Sequence, residues 1–191
     1  MLIRLHGTVL FLVAALVGCA GVHRPSDNSL MVRPGVAELV AFELSGRLSV
    51  RHGESSYVAN IDWQHDAAHD EIFLSSPLGQ GLAQLSRDST GARLITGDQR
   101  RIEAPDWNGL AAQALGAELP LGLLPRWLVA DVPPGARRDV LGRPLSFHQD
   151  GWTVTYSGYL SEEALALPQL IDARRQDMEI RLKVDNWQRM K

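Results

Sequence analysis

The chain carries few residues able to do covalent or metal chemistry, and they do not converge. Cys19 is its only thiol. His65 and His69 stand four apart, each followed by an aspartate, a spacing that shares a metal when it lies on a helix. The polar run Gln64–Asp70 reads as a turn between strands, where that spacing does not bring the two rings together. Glu162 and Glu163 supply two carboxylates, but adjacent residues do not face each other on a helix or a strand, so the pair reads as a solvated loop. There is no Gly-x-Ser-x-Gly elbow, no phosphate-cradling glycine loop and no Cys-x-x-Cys. No nucleophile, base and orienting partner come together, so the chain is expected not to be an enzyme and to need no cofactor or metal.

Cys19 closes the segment Leu16-Val17-Gly18-Cys19, which follows an uncharged apolar run from Val9 to Val17 with Arg4 and His6 upstream. The run is much shorter than the roughly 20 residues of a membrane-spanning helix, and it reads as the apolar region of a secretory signal over residues 1–18. An aliphatic residue, Val, Gly and Cys in place of an Ala-x-Ala site resemble the lipobox of bacterial lipoproteins. That resemblance implies cleavage before Cys19, a diacylglycerol on its thiol and an acyl group on its new amine. Ala20 and Gly21 follow where an aspartate would favour inner-membrane retention, so the expected address is the outer membrane, lipid-anchored and facing the periplasm.

The remaining chain of about 170 residues is long enough for one domain with a sizeable core. Hydrophobic residues make up 45% of the sequence and charged residues 21%. Losing Arg4 with the signal leaves 18 basic against 22 acidic residues, an acidic balance that argues against a nucleic-acid partner. A single cysteine allows no internal disulfide, so stability must come from burial.

Residues 19–35, rich in Pro, Ser and Asn and without periodicity, read as a lipidated N-terminus and solvated tether. The domain is expected over residues 36–191. Phe42, Leu44, Leu48 and Val50 alternate with Glu43, Ser45, Arg47 and Ser49, and Tyr57, Ala59, Ile61 and Trp63 repeat the pattern after a turn at Gly53. Two half-buried strands of a hairpin are predicted. Gly46 interrupts the apolar face, as where a sheet bends or a second backbone comes close. Further strands are expected at 72–74, 82–85, 93–96, 100–104, 145–148 and 152–156, with a final one through Met178, Ile180, Leu182 and Val184.

Between these strands the period changes. Asp106 caps a predicted helix with Trp107, Leu110, Ala111, Ala114 and Leu115 at helical spacing, ending near Gly116. The stretch from Pro120 to Val129 is apolar almost all round, more than one packed face needs. Leu110, Leu115, Leu123, Leu124, Trp127 and Leu128 are therefore the candidate cavity or lid residues, with packing of lid on sheet an equal account of the tryptophans. Val132–Gly135 reads as a linker, and Ser161–Glu163 as a cap for a short helical turn before Leu167-Pro168. The expected fold is mainly β with a helical insert: an open antiparallel half-barrel whose apolar concave face the helices cover.

Pro77-Leu78-Gly79 stands out because turn tips are usually polar. Leu78 is either folded back on the core or offered to something outside.

Taken in order, the lipobox, Phe42-x-x-x-Gly46-Arg47-Leu48-x-Val50, Trp63, Ser76-Pro77-Leu78-Gly79, Leu119-Pro120-Leu121, Leu124-x-x-Trp127-Leu128, Gly151-Trp152-x-Val154-x-Tyr156 and Asn186-Trp187 resemble the LolB family of bacterial lipoproteins. The chain departs from that pattern at Val129–Pro133, which is longer and lacks a glycine before the proline. The resemblance implies an outer-membrane protein, acting as a monomer, that accepts acylated lipoproteins from the periplasmic carrier LolA. Their acyl chains enter a hydrophobic cavity and pass into the outer-membrane lipid without nucleotide hydrolysis. It also implies that Pro77, Leu78 and Gly79 form the loop that aids membrane transfer. The alternative reading is a structural lipoprotein that scaffolds an envelope assembly.

Overall fold

Period-two patterning sets the architecture. The computed structural model describes residues 41–116 and 119–189, with the side chains of Leu115 and Arg189 left out; the signal segment, Cys19 and the tether lie outside the described residues. The strands are β1 (Phe42–His52), β2 (Ser55–His65), β3 (Asp70–Ser75), β4 (Gly81–Asp88), β5 (Gly91–Thr96) and β6 (Arg101–Ala104). After two helices, α1 (Trp107–Leu115) and α2 (Leu124–Leu128), come β7 (Arg137–Arg138), β8 (Pro144–Gln149), β9 (Trp152–Tyr159), β10 (Pro168–Arg175) and β11 (Met178–Arg189). They form one antiparallel sheet in the order β6-β5-β4-β3-β2-β1-β11-β10-β9-β8-β7. The first and last strands therefore pair in its middle, and β6 and β7 are its two edges. The expectation of a mainly β, open antiparallel architecture with a helical insert holds.

Antiparallel pairing fixes which connections share an end. The turns at 53–54, 76–80, 97–100, 150–151 and 176–177 lie at one end of the sheet. The connections at 66–69, 89–90, 139–143 and 160–167 lie at the other, where β1 also begins. The two helices lie on the long connection between the edge strands.

Local chemistry follows the sequence closely in places. The Asp106 side chain accepts from the Gly109 amide at 2.8 Å, and Gly116 closes α1 in the left-handed conformation at φ 65°. Asp150 and Gly151 both take positive φ, as a two-residue type I′ hairpin turn requires. Pro125 sits in the first turn of α2, where a missing amide hydrogen costs nothing.

Two segments differ from expectation. The 132–135 linker leads into a two-residue strand, β7. No helical turn is formed over 161–163; that stretch is part of a longer connection, and the chain from Pro168 to Arg175 becomes β10, an inner strand paired with both β9 and β11. Pro168 is tolerated because it is the first residue of its strand.

The pairing of β1 with β11 shifts register between Ser45 and Gly46. A Cβ on Gly46 would stand 2.2 Å from the Lys183 carbonyl oxygen, so only glycine fits where the central strands close on each other. Gly46→Ala is expected to lower the free energy of unfolding by about 1–3 kcal/mol, as overpacking does; urea denaturation of the two proteins checks it.

Candidate functional site

Alternation sends one set of side chains from β1–β5 and β11 to a single face, and these line a cavity of about 800 Å³. Val50, Leu48, Ala59, Ile61, Leu74, Leu85 and Ile180 form most of its sheet wall. Leu110, Ala111 and Ala114 of α1, with Leu119, Leu121 and Leu124 beyond it, form the opposing wall. Polar groups enter the lining chiefly at His52, Ser55, Ser56, Thr96 and Arg100, all at the end that holds the 53–54, 76–80 and 97–100 turns.

Exposure along β2 shows which way the cavity opens. Tyr57 is 62% exposed, Ala59 8% and Trp63 1%. The cavity is therefore closed at the end of Trp63 and open at the end of Tyr57. Ala59 and Ala83 contribute short side chains to the lining between these levels.

The closed end is built on one carboxylate. Asp70, at the first position of β3, is 1% exposed. It accepts from Trp63 Nε1 at 2.9 Å, Arg87 Nε at 2.5 Å and Trp107 Nε1 at 3.4 Å, and its other contact is His65 Nδ1 at 2.6 Å. Strands β2, β3 and β4 and the start of α1 thus meet on two oxygens. Burial alone would raise the Asp70 pKa, but the hydrogen bonds from His65, Arg87 and Trp63 outweigh it and hold the group below its ordinary value. Phe42 packs edge-on to Trp63 with ring centroids 5.7 Å apart, sealing the same end.

The candidate residues separate into groups. Leu110 and Leu124 line the cavity. Leu123 is half-buried against the core cluster. Trp127 and Leu128 are fully buried but stand outside the cavity lining, Trp127 over β8 and β9. The Trp127 ring lies 5.9 Å from Phe147 and 6.3 Å from Trp152, its Nε1 donates to Gln149 at 3.0 Å, and its carbonyl accepts from the Tyr156 hydroxyl at 2.8 Å. These contacts of Trp127 seat α2 on the sheet. The side chain of Leu115, like Cys19, lies outside the described residues.

Leu78 is 97% exposed. Its turn is held by Ser76 N to Gln80 O and Gly79 N to Ser76 O, both 2.8 Å, with Gly79 at φ 85°. Pro77 and Gly79 thus present the leucine outward at the open end of the cavity, and the alternative of a core contact is excluded. His65 joins Asp70, whereas the His69 amide caps the Asp66 carboxylate, so the two histidines serve different contacts. Glu162 is exposed with Arg143 at 3.7 Å.

Asp70 was not among the candidates, although a signal existed: counting back by two from Leu74 and Ile72 puts it on the inward face of its strand. The polar residues at the cavity mouth carried no comparable signal.

A profile of the family described as "Outer membrane lipoprotein LolB" matches residues 40–187. Outer-membrane lipoprotein LolB of Nitrosomonas europaea is 37% identical over 192 residues, covering 94% of this chain and 91% of that protein. The proteins of the same name from Azoarcus sp. and Thiobacillus denitrificans are 36% and 38% identical, with 91% of this chain covered in each case and 90% and 92% of theirs. Among solved structures, a LolA superfamily protein of Nitrosomonas europaea superposes with a TM-score of 0.52 at 9% identity, covering 83% of this chain and 93% of that one. At that identity the likeness speaks for the fold.

The Asp70 cluster makes a pH prediction. A carboxylate with a depressed folded pKa contributes stability that is complete above its unfolded value, ordinarily 3.8, and is lost as pH falls through the folded value. Unfolding free energy should therefore fall on acidification in that range. Asp70→Asn should flatten that slope and cost on the order of 3 kcal/mol at neutral pH, because Arg87 loses its buried partner; urea titrations across the pH range check both.

Proposed function

The chain belongs to the LolB family of outer-membrane lipoproteins, and from that membership we propose that it receives acylated lipoproteins from a LolA-type periplasmic carrier and releases them into the outer membrane. The role in outer-membrane lipoprotein localisation follows from the family; the route is our reading. The acyl chains of the client occupy the cavity, and α1 with the segment to Leu124 covers the apolar face of a half-barrel. Among the described residues no helix is long and apolar enough to span a membrane, and acylation of Cys19 supplies the anchor.

One observation carries this reading: the cavity opens at the end of the sheet where Leu78 stands exposed. A lipid leaving the cavity meets the apolar tip that touches the bilayer. Burial is worth about 0.8 kcal/mol per methylene, so a long acyl chain exposed to water costs on the order of 10 kcal/mol. Passage from cavity to cavity keeps each chain covered, and a tighter acceptor at each step drives the handover without nucleotide hydrolysis. A monomer suffices, since one sheet and its helices enclose the cavity. A scaffold has no use for such a space.

Leu78→Glu is expected to leave the unfolding midpoint unchanged and client uptake intact, and to lower delivery into liposomes by at least about tenfold, the worth of one leucine side chain in an apolar phase. The measurement is co-sedimentation of a labelled acylated client with liposomes; undiminished delivery refutes the role of the tip. Cys19→Ala is expected to shift the protein from the membrane to the soluble fraction on cell fractionation, and persistence in the membrane overturns that anchor.

A further inference from the structure

Most of the large hydrophobic side chains left exposed among the described residues fall into two groups, one at each end of the sheet. Tyr57, Val58, Leu78 and Leu82 stand at the mouth, and Phe73 lies mid-strand on the face of β3 away from the cavity. Val140, Leu141, Leu160 and Leu165 stand at the opposite end, on the β7–β8 turn and the β9–β10 connection, and the proposed transfer route makes no use of them. Exposed apolar clusters of this kind mark interaction sites.

This second cluster is held rigid. Asp139 accepts from the amides of Leu141 and Arg143, each at 2.9 Å, and from Arg143 Nε at 2.7 Å. Arg138 donates to the Gly142 carbonyl at 2.8 Å. Arg143 also donates to the Ser161 carbonyl at 3.0 Å and lies over the Tyr159 ring, tying the turn to the neighbouring connection. The turn thus holds Val140 fully exposed at its tip with little left to order on contact. Arg137, Arg138 and Arg143 are matched in number by Asp139, Glu162 and Glu163 on the same two connections, so the cluster has no net charge to favour a strongly acidic or basic partner.

Its position identifies the occupant. β1 begins at this end, so the chain leading back to Cys19 leaves the domain here. Residue 41 stands 22 residues after Cys19, a stretch that reaches at most roughly 75 Å. The eleven residues of β1 cover about 37 Å. The cluster is thus the end of the domain nearer in chain to the anchored Cys19, while the greatest reach of the intervening segment exceeds the length of β1 and also lets the mouth meet the membrane.

We propose that Val140, Leu141, Leu160 and Leu165 form a second membrane contact, which rests the domain on the lipid surface with its mouth towards the periplasm. This goes beyond the transfer reading, resting on it only for the acylated Cys19 and the role of the mouth. Reception and delivery then use opposite ends of one domain, and exchange of ends is a step of the cycle.

The test uses the full mature acylated protein in phosphatidylcholine vesicles containing nitroxide-labelled lipid. A fluorophore is attached at Leu165→Cys or, in a parallel protein, at Leu78→Cys. Without client, the label at 165 is expected to be quenched several-fold more than the label at 78, and equally at low and high salt. Val140→Glu, at a site that touches no core residue, is expected to abolish quenching at 165 while leaving the unfolding midpoint unchanged. A label at 165 that stays unquenched overturns the proposal. So does quenching that disappears as the protein is diluted among the vesicles, which indicates a second copy as the occupant, or a chain that fails to stay with the vesicles. Client transfer is assayed separately: loss of transfer with 165 still quenched refutes the transfer reading alone, and transfer with 165 unquenched refutes this contact alone.

Discussion

The buried carboxylate of Asp70 is the contact on which the working shape of the domain depends, because from β3 it gathers two indoles, an imidazole and a guanidinium supplied by β2, β4 and α1. Leaving any of these polar groups buried without a partner costs free energy, so each bond constrains where its element lies. Trp107, the first residue of α1, is tied to the sheet at the closed end of the cavity, while the residues that line it lie further along the helix. The cavity is thus pinned at its floor and free of such a cluster at its mouth. That asymmetry leaves the cavity with one fixed end and one open end.

The second constraint is central closure. β1 and β11 pair through eleven registered positions, and Gly46 lets their backbones approach where a side chain would collide with Lys183. With the termini joined in the middle of the sheet, the chain between β6 and β7 must cross from one edge to the other. That crossing carries both helices. Trp127 then holds α2 against Phe147, Trp152 and Tyr156, and Leu110 and Leu124 are left to face the cavity. One helical segment both packs and lines, so its apolar excess has two uses.

Much of this was legible in the sequence. Alternation in β1, β2 and β11 identified the central strands, and Asp106 and Gly116 bracketed α1, because these are local effects of side-chain period and backbone capping. Leu78 announced itself as an aliphatic residue in a turn. What was not legible depended on partners distant in sequence. Pro168–Arg175 has no clean alternation, since Asp172 is buried on the face away from Ile171 and is paired with Arg181. Its strand state is imposed by neighbours on both sides. Apolarity alone could not divide Trp127, which packs on β8 and β9, and the buried Leu128 from Leu110 and Leu124, which line the cavity. Asp70 was hidden by the polar residues around it, although its register with Ile72 was visible.

The two sheet edges have a consequence for life on a crowded surface. Proteins tethered at similar heights above a bilayer meet one another repeatedly in similar orientations, and exposed strand edges are templates for pairing between molecules. Here one edge, β7, is two residues long and consists of consecutive arginines, and the other, β6, is four residues long with Arg101 and Glu103 exposed on it. Neither offers a neighbour more than a few ladder positions, and two β7 edges repel. Pairing through the sheet edges is thus disfavoured even where such domains are crowded together.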